Sequence, residues 1–123
     1  MQAGNVWQGV YTEAQAERGH QLYLRECTQC HYPDLSGSSG DRSGPALKGA
    51  LFLLNWEQRT VADLFDFIYK TMPKTRPSSL SPEAAADVIG FILRENGIPA
   101  GSNELTPDRA TLNHILVTEK AAQ

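Results

Sequence analysis

Three stretches with apolar residues at helical spacing, each opened by a good capping residue, predict an all-α domain, and no convincing alternating strand pattern competes with them. Three main helices plus short helical turns are expected. The 123 residues suit one domain and leave little room for a second. Within residues 1–123 we expect a core over about 11–99, an N-terminal arm over 1–10 and a C-terminal extension over 100–123.

Gly4 to Val10 reads as the arm, with Val6, Trp7 and Val10 available to pack. Thr12 offers a helix cap, and Gln15 three residues later completes a capping-box pattern. A first helix should run from about Glu13 to Glu26, with Ala16, Gly19, Tyr23 and Cys27 as its inner stripe. Gly19 costs roughly 1 kcal/mol against alanine in a helix interior, which points to close contact with another helix, a tolerated surface glycine being the alternative. From Pro33 to Pro45, serine, glycine and proline replace periodicity. A loop of that length in so small a domain is functional or packed on something, and Gly44-Pro45-Ala46-Leu47 closes it. Leu51 to Leu54 adds a short helical turn before Asn55 and Trp56.

Thr60 caps a second helix over about Val61 to Thr71, with Asp63 where a carboxylate meets the exposed amides. Val61, Leu64, Phe65 and Ile68 share one face, Met72 continues it, and Pro73 ends it by steering the preceding residue out of the helical region. Ser81-Pro82-Glu83 starts a third helix that should run to about Asn96, with Ala85, Val88, Ile89 and Ile92 as its stripe and Gly97 as a left-handed cap. In the extension, Thr106-Pro107-Asp108 can start a short helix, and Leu112, Ile115, Leu116 and Val117 can pack on the body. The last six residues are expected to fray.

Eleven basic against fourteen acidic residues give a net charge of -3, which argues against a nucleic-acid surface. Two cysteines three positions apart exclude a disulfide framework. No apolar run reaches membrane-spanning length. The hydrophobic fraction of 41%, with many alanines in it, makes a modest core that a buried prosthetic group would enlarge.

The most specific chemistry lies in Cys27-Thr28-Gln29-Cys30-His31, which reads as a c-type haem attachment site. On a helical turn these positions place two thiols and an imidazole on one side, a face that suits a flat ligand. Cys27 and Cys30 can form thioethers to the two vinyl groups of a porphyrin while His31 reaches the iron. The expected cofactor is one covalently bound haem c. A thioredoxin-type dithiol would need a strand-to-helix setting, and a closed zinc site would have to draw on His20 and His114 at unpatterned distances.

What fills the second axial position decides between bond chemistry and electron transfer. Met72, His20, His114, water or nothing are the candidates, against a plain core-filling role for Met72. Met72 is favoured because a helix stripe feeds into it, the loop from Met72 to Ser79 can pass over the far haem face, and a thioether is a known haem ligand. His20 lies seven residues before Cys27 on roughly the same helical face and would not easily cross over.

In that order, Cys27-Thr28-Gln29-Cys30-His31, Gly44-Pro45-Ala46-Leu47 and Thr71-Met72-Pro73, set between terminal helices, resemble a class I mono-haem cytochrome c over about Ala14 to Gly97. More narrowly, Gly44 to Gly49 followed by Phe52, Trp56, Arg59-Thr60-Val61 and Asp63-Leu64-Phe65 is similar to cytochrome domains that accompany pyrroloquinoline-quinone-dependent alcohol dehydrogenases. The resemblance implies that the Pro45 carbonyl accepts a hydrogen bond from the non-ligating nitrogen of His31. Trp56 would donate its N–H to a haem propionate with Arg59 nearby, or serve as apolar core. Leu47, Leu64 and Ile68 would line the porphyrin, with Tyr23, Gly44 and Phe52 completing the pocket. Gly19 and Tyr23 would meet Phe91 or Ile92, giving the crossed terminal helices of the family.

With His31 and Met72 both on iron, the implied function is that of a one-electron carrier with no catalytic site of its own. A quinoprotein dehydrogenase is the implied donor, and a terminal oxidase or another cytochrome the implied acceptor. Haem attachment in bacteria takes place outside the cytoplasmic membrane, so the resemblance implies a periplasmic protein whose export signal was removed, none being visible from Met1 to Asn5. The rival readings are a fixed haem relay in a larger dehydrogenase, served by the long tail, and a gas- or peroxide-binding haem protein.

Overall fold

Hydroxyl caps set the starts of the three long helices. Thr12, Thr60 and Ser81 each accept a hydrogen bond from the N–H three residues on, Gln15 at 3.1 Å, Asp63 at 3.1 Å and Ala84 at 3.0 Å. The computed structural model describes residues 4–27, 35, 47–72, 76 and 79–118. Among them the helices are α1 Glu13–Glu26, α2 Gly49–Trp56, α3 Val61–Thr71, α4 Pro82–Glu95 and α5 Arg109–Leu112. The fold is all-α: extended pairing among the described residues is limited to isolated bridges of Leu116 with Asn5 and Thr60.

α1 and α3 have the predicted bounds. α4 ends at Glu95, one residue earlier than expected, because Asn96 leaves the helix as its cap. Gly97 follows at φ +76°, and the N–H groups of Gly97 and Ile98 donate to the Arg94 and Leu93 carbonyls at 3.0 and 3.1 Å, the pair of hydrogen bonds of a left-handed helix stop. The turn expected over Leu51 to Leu54 is instead the eight-residue α2, which starts earlier at Gly49 without a side-chain cap of its own. In place of that cap, the Gly49 N–H donates to Asn96 Oδ1 at 2.9 Å.

Gly19 lets α1 and α4 touch backbone to backbone. A Cβ there would lie 1.9 Å from the Asp87 carbonyl oxygen. The partner of Gly19 is therefore the Asp87–Val88 backbone, one turn before the Phe91 and Ile92 expected, whereas Tyr23 does meet Phe91, ring centroids 5.1 Å apart. Gly90 on α4 answers Gly19, facing Tyr11, Gln15 and Ala16. α4 is buried around most of its girth, from Val88 to Leu93 without interruption. Only half of the capping box forms, since Gln15 turns inward and exchanges two 2.8 Å hydrogen bonds with the Leu105 backbone.

The extension folds back onto the body. Leu105, Leu112, Ile115 and Val117 are buried, but Leu116, expected to pack with them, is 36% exposed because successive residues of an extended segment face opposite ways. Thr118 holds Trp7 by accepting its indole N–H at 2.9 Å; the rest of the stretch expected to fray lies outside the described residues. At the two ends of the body, Tyr11 donates its hydroxyl to the Ile98 carbonyl at 2.5 Å. Burial, reinforced by Glu13, pushes that phenol from 10.0 up to about 12.

Gly19→Ala should cost about 2–3 kcal/mol in urea unfolding, since a methyl group against backbone forces the helices apart by more than the propensity gain returns. An unchanged midpoint would show that the helices can separate freely. Tyr11 should govern an alkaline transition. The fold holds the neutral phenol, so its contribution is complete below the ordinary value of 10.0 and is lost as pH rises through about 12. Stability should fall across that window, and Tyr11→Phe should flatten the fall; an identical slope in the variant would contradict the assignment.

Candidate functional site

Cys27 caps α1. It keeps near-helical backbone angles, φ -118° and ψ -21°, and donates its N–H to the Tyr23 carbonyl at 2.9 Å. Gly19, Tyr23 and Cys27 therefore form one line, the first two buried in the helix crossing and the third half-buried at the core's edge. Cys30, His31, Gly44 and Pro45 lie outside the described residues.

Met72 caps α3 in the extended conformation that a following proline imposes, φ -111° and ψ 149°. Leu64 and Ile68, two turns and one turn earlier on the same face, are buried, while Met72 is half-buried against the same apolar cluster. Arg76, four residues beyond Met72, pairs with Glu26, the neighbour of Cys27. Four residues span at most about 14 Å, so Met72 lies within that reach of a residue paired to the end of α1. Cys27 and Met72 both pack at the edge of the same apolar cluster.

A third edge is built around Leu47. Its N–H donates to the Leu35 carbonyl at 2.9 Å, and its own carbonyl accepts from Asn96 Nδ2 at 3.0 Å. Neither partner was foreseen. Leu35 is fully buried at φ +64°, and its only signal in the sequence is a lone large aliphatic residue in a polar loop. Asn96 also donates to Ile92, so one amide closes α4 and starts α2.

Phe52 and Trp56 on α2 are buried. The Arg59 guanidinium lies 4.7 Å from the centre of the Trp56 ring and 3.5 Å from Asp63, while Phe67 meets the ring edge-on at 5.8 Å. His20 stacks on Phe91 at 4.7 Å beside Glu17, and His114 is exposed after α5. A cavity of about 300 Å³ between Trp7, Lys48, Phe52, Glu95, Asn96 and Thr118 takes up, of the predicted pocket residues, Phe52.

The donor chemistry fits a haem. A thiol and a thioether sit half-covered at the ends of two tied helices, and the cluster behind them is apolar through Tyr23, Leu64, Phe65 and Ile68. Residues 14–92 match the family described as cytochrome c oxidase, cbb3-type, subunit III. The chain belongs to that family. It is a class I c-type cytochrome with covalently bound haem c, and its work is haem-based electron transfer. No curated protein matches the sequence. Among solved structures, this cytochrome resembles the sulfane dehydrogenase SoxCD from Paracoccus pantotrophus with a TM-score of 0.59 and 17% identity, over 89% of this chain and 61% of that one. At that identity the likeness is one of fold, and the cytochrome spans about three-fifths of the SoxCD chain.

Asn96→Ala removes two donors and one acceptor from backbone groups at this edge and should cost about 2 kcal/mol in chemical denaturation. A loss below a few tenths would mean that water replaces the amide.

Proposed function

We propose that the chain is a single-haem, one-electron carrier of the bacterial periplasm, with Cys27 and Cys30 as attachment residues and His31 and Met72 as axial ligands. The observation that carries this reading is Met72: extended at the end of α3, half-buried, and followed by a segment tied to the residue beside Cys27. When bound, the haem supplies a one-electron iron couple, whose potential thioether ligation raises relative to two nitrogen ligands. Leu47, Leu64 and Ile68 exclude water from the site, and Trp56 with Arg59 faces the propionate side. Pro45 orients the His31 ring. With His31 and Met72 both holding the iron, no position would be left for a substrate, and the chain would perform no bond chemistry of its own.

The whole of residues 1–123 acts as one unit in this reading, because the extension spends its apolar residues on its own body. That supports a diffusing carrier over a subunit docked by a loose tail. A quinoprotein dehydrogenase is the proposed donor, from the likeness at Gly44 to Phe65, and a terminal oxidase or another cytochrome the proposed acceptor. A fixed relay in a larger dehydrogenase is the second reading, favoured by the fold shared with a longer SoxCD chain. Co-elution with a dehydrogenase in size exclusion would select it.

Met72→Ala should abolish the weak red-edge sulfur-to-iron absorption of the ferric protein and lower its reduction potential. It should also open the reduced protein to carbon monoxide, which the native protein should bind slowly if at all. A variant with an unaltered spectrum would show that another group holds that position.

A further inference from the structure

The turn between α2 and α3 is held from outside. Gln58 donates its N–H to the Val117 carbonyl at 2.8 Å, Val117 donates to the Arg59 carbonyl at 2.8 Å, and Val61 donates to the Ile115 carbonyl at 2.7 Å. Leu116, between them, faces the other way: it donates to the Gly4 carbonyl at 3.1 Å and accepts from Val6 at 3.0 Å. Residues 115–117 therefore join two separate edges, the arm on one side and the turn on the other. Ile115 and Val117 bury their side chains in the core.

The held turn is an unfavourable one. Gln58 has φ +69°, a region that residues with a side chain rarely adopt, and such outliers persist where the surroundings over-determine them. Here the Val117 carbonyl supplies that constraint on the Gln58 N–H. The next residue is Arg59, whose backbone is fixed by Val117 and whose guanidinium lies over Trp56. More than half of the Arg59 side chain is exposed, so its placement depends on the backbone beneath it, on the Trp56 face and on the Asp63 carboxylate 3.5 Å away.

We propose that residues 115–117 are a positioning clasp that holds Arg59, and with it Trp56, where they set the reduction potential of the haem. The inference rests on the reading that Arg59 and Trp56 face the propionate side. A fixed cation there disfavours the more positive ferric state, so releasing it lowers the potential. Linkage makes the effect reciprocal: if the clasp favours the ferrous protein, reduction must tighten the clasp by the same factor.

The experiment uses the full-length holoprotein. Val117→Pro removes the donor to Arg59, whereas Leu116→Pro removes only the donor to Gly4, one of its two bonds to the arm. Val117→Pro should lower the potential in the direction of Arg59→Gln, with little further change in the double variant, and Leu116→Pro should leave it unchanged. Val117→Ala keeps the backbone bonds and separates lost packing from lost positioning. If Val117→Pro does not fold, amide hydrogen exchange of the native protein decides. The Gln58, Val61 and Val117 amides should be more protected in the ferrous than in the ferric state, beyond any change at Val6 and Leu116. Equal changes on both edges, or a shift with Arg59→Gln but none with a folded Val117→Pro, would overturn the clasp. No shift with Arg59→Gln would instead overturn the placement of Arg59 beside the propionate.

Discussion

At residue 19 a hydrogen atom stands where any other side chain would drive a carbon to within 1.9 Å of the Asp87 carbonyl oxygen, and this close contact fixes how α1 lies on α4. Once the two backbones touch there, the register of α1 is settled. Tyr23, one turn on, falls against Phe91, and Cys27, one turn further, emerges at the rim of the apolar cluster. The ion pairs of Arg18 with Asp87 and Glu104 run along the same crossing, but the Arg18 side chain is half exposed. Pairs of that kind contribute at most about 1 kcal/mol, so they decorate an arrangement that close packing decides. A steric permission at one glycine thus places Cys27, the first cysteine of the proposed attachment pair.

The second leg of the site is placed by a different rule. α3 is pinned at its start by Thr60 and ends where Pro73 forces Met72 into extended backbone. A face that repeats every four residues through Leu64 and Ile68 delivers the thioether at the last position before the helix breaks off. A helix end is a useful place for a ligand, because the side chain is anchored by the turn behind it while the chain ahead is free to leave the axis. On the proposed ligand set, both iron-binding segments follow directly from helix ends, and Arg76, four residues past Met72 at the end of α3, pairs with Glu26 at the end of α1.

The legible parts of the fold were those written in local chemistry. Thr12, Thr60 and Ser81 cap their helices as the sequence suggests, because a hydroxyl three residues from a free amide needs no tertiary context. α2 was underestimated because Leu51 to Leu54 is apolar without period, and its start depends on Asn96, an amide 47 residues away. Gln15 looked like half of a capping box, but the buried Leu105 backbone competed for its side chain and won. Leu35 and Asn96 carry no motif. Their roles arise from pairing across the chain, which a single sequence does not display. The attachment motif had the opposite character: five adjacent residues stated the chemistry, and the family match over residues 14–92 agrees with it.

The extension was the least readable segment, and its physics explains why. Its residues 115–117 meet the body through single backbone bonds made by alternate residues to two different partners, a pattern with neither a strand's ladder nor a helix's stripe. Such contacts are individually modest, near 1 kcal/mol each, but they act on a turn whose Gln58 is held against its preference. Haem-based electron transfer gains from a fixed field around the metal, since every charge that moves with oxidation state adds to the barrier. Spending buried valine and isoleucine on a turn, instead of leaving the tail loose for a partner, is what that requirement predicts.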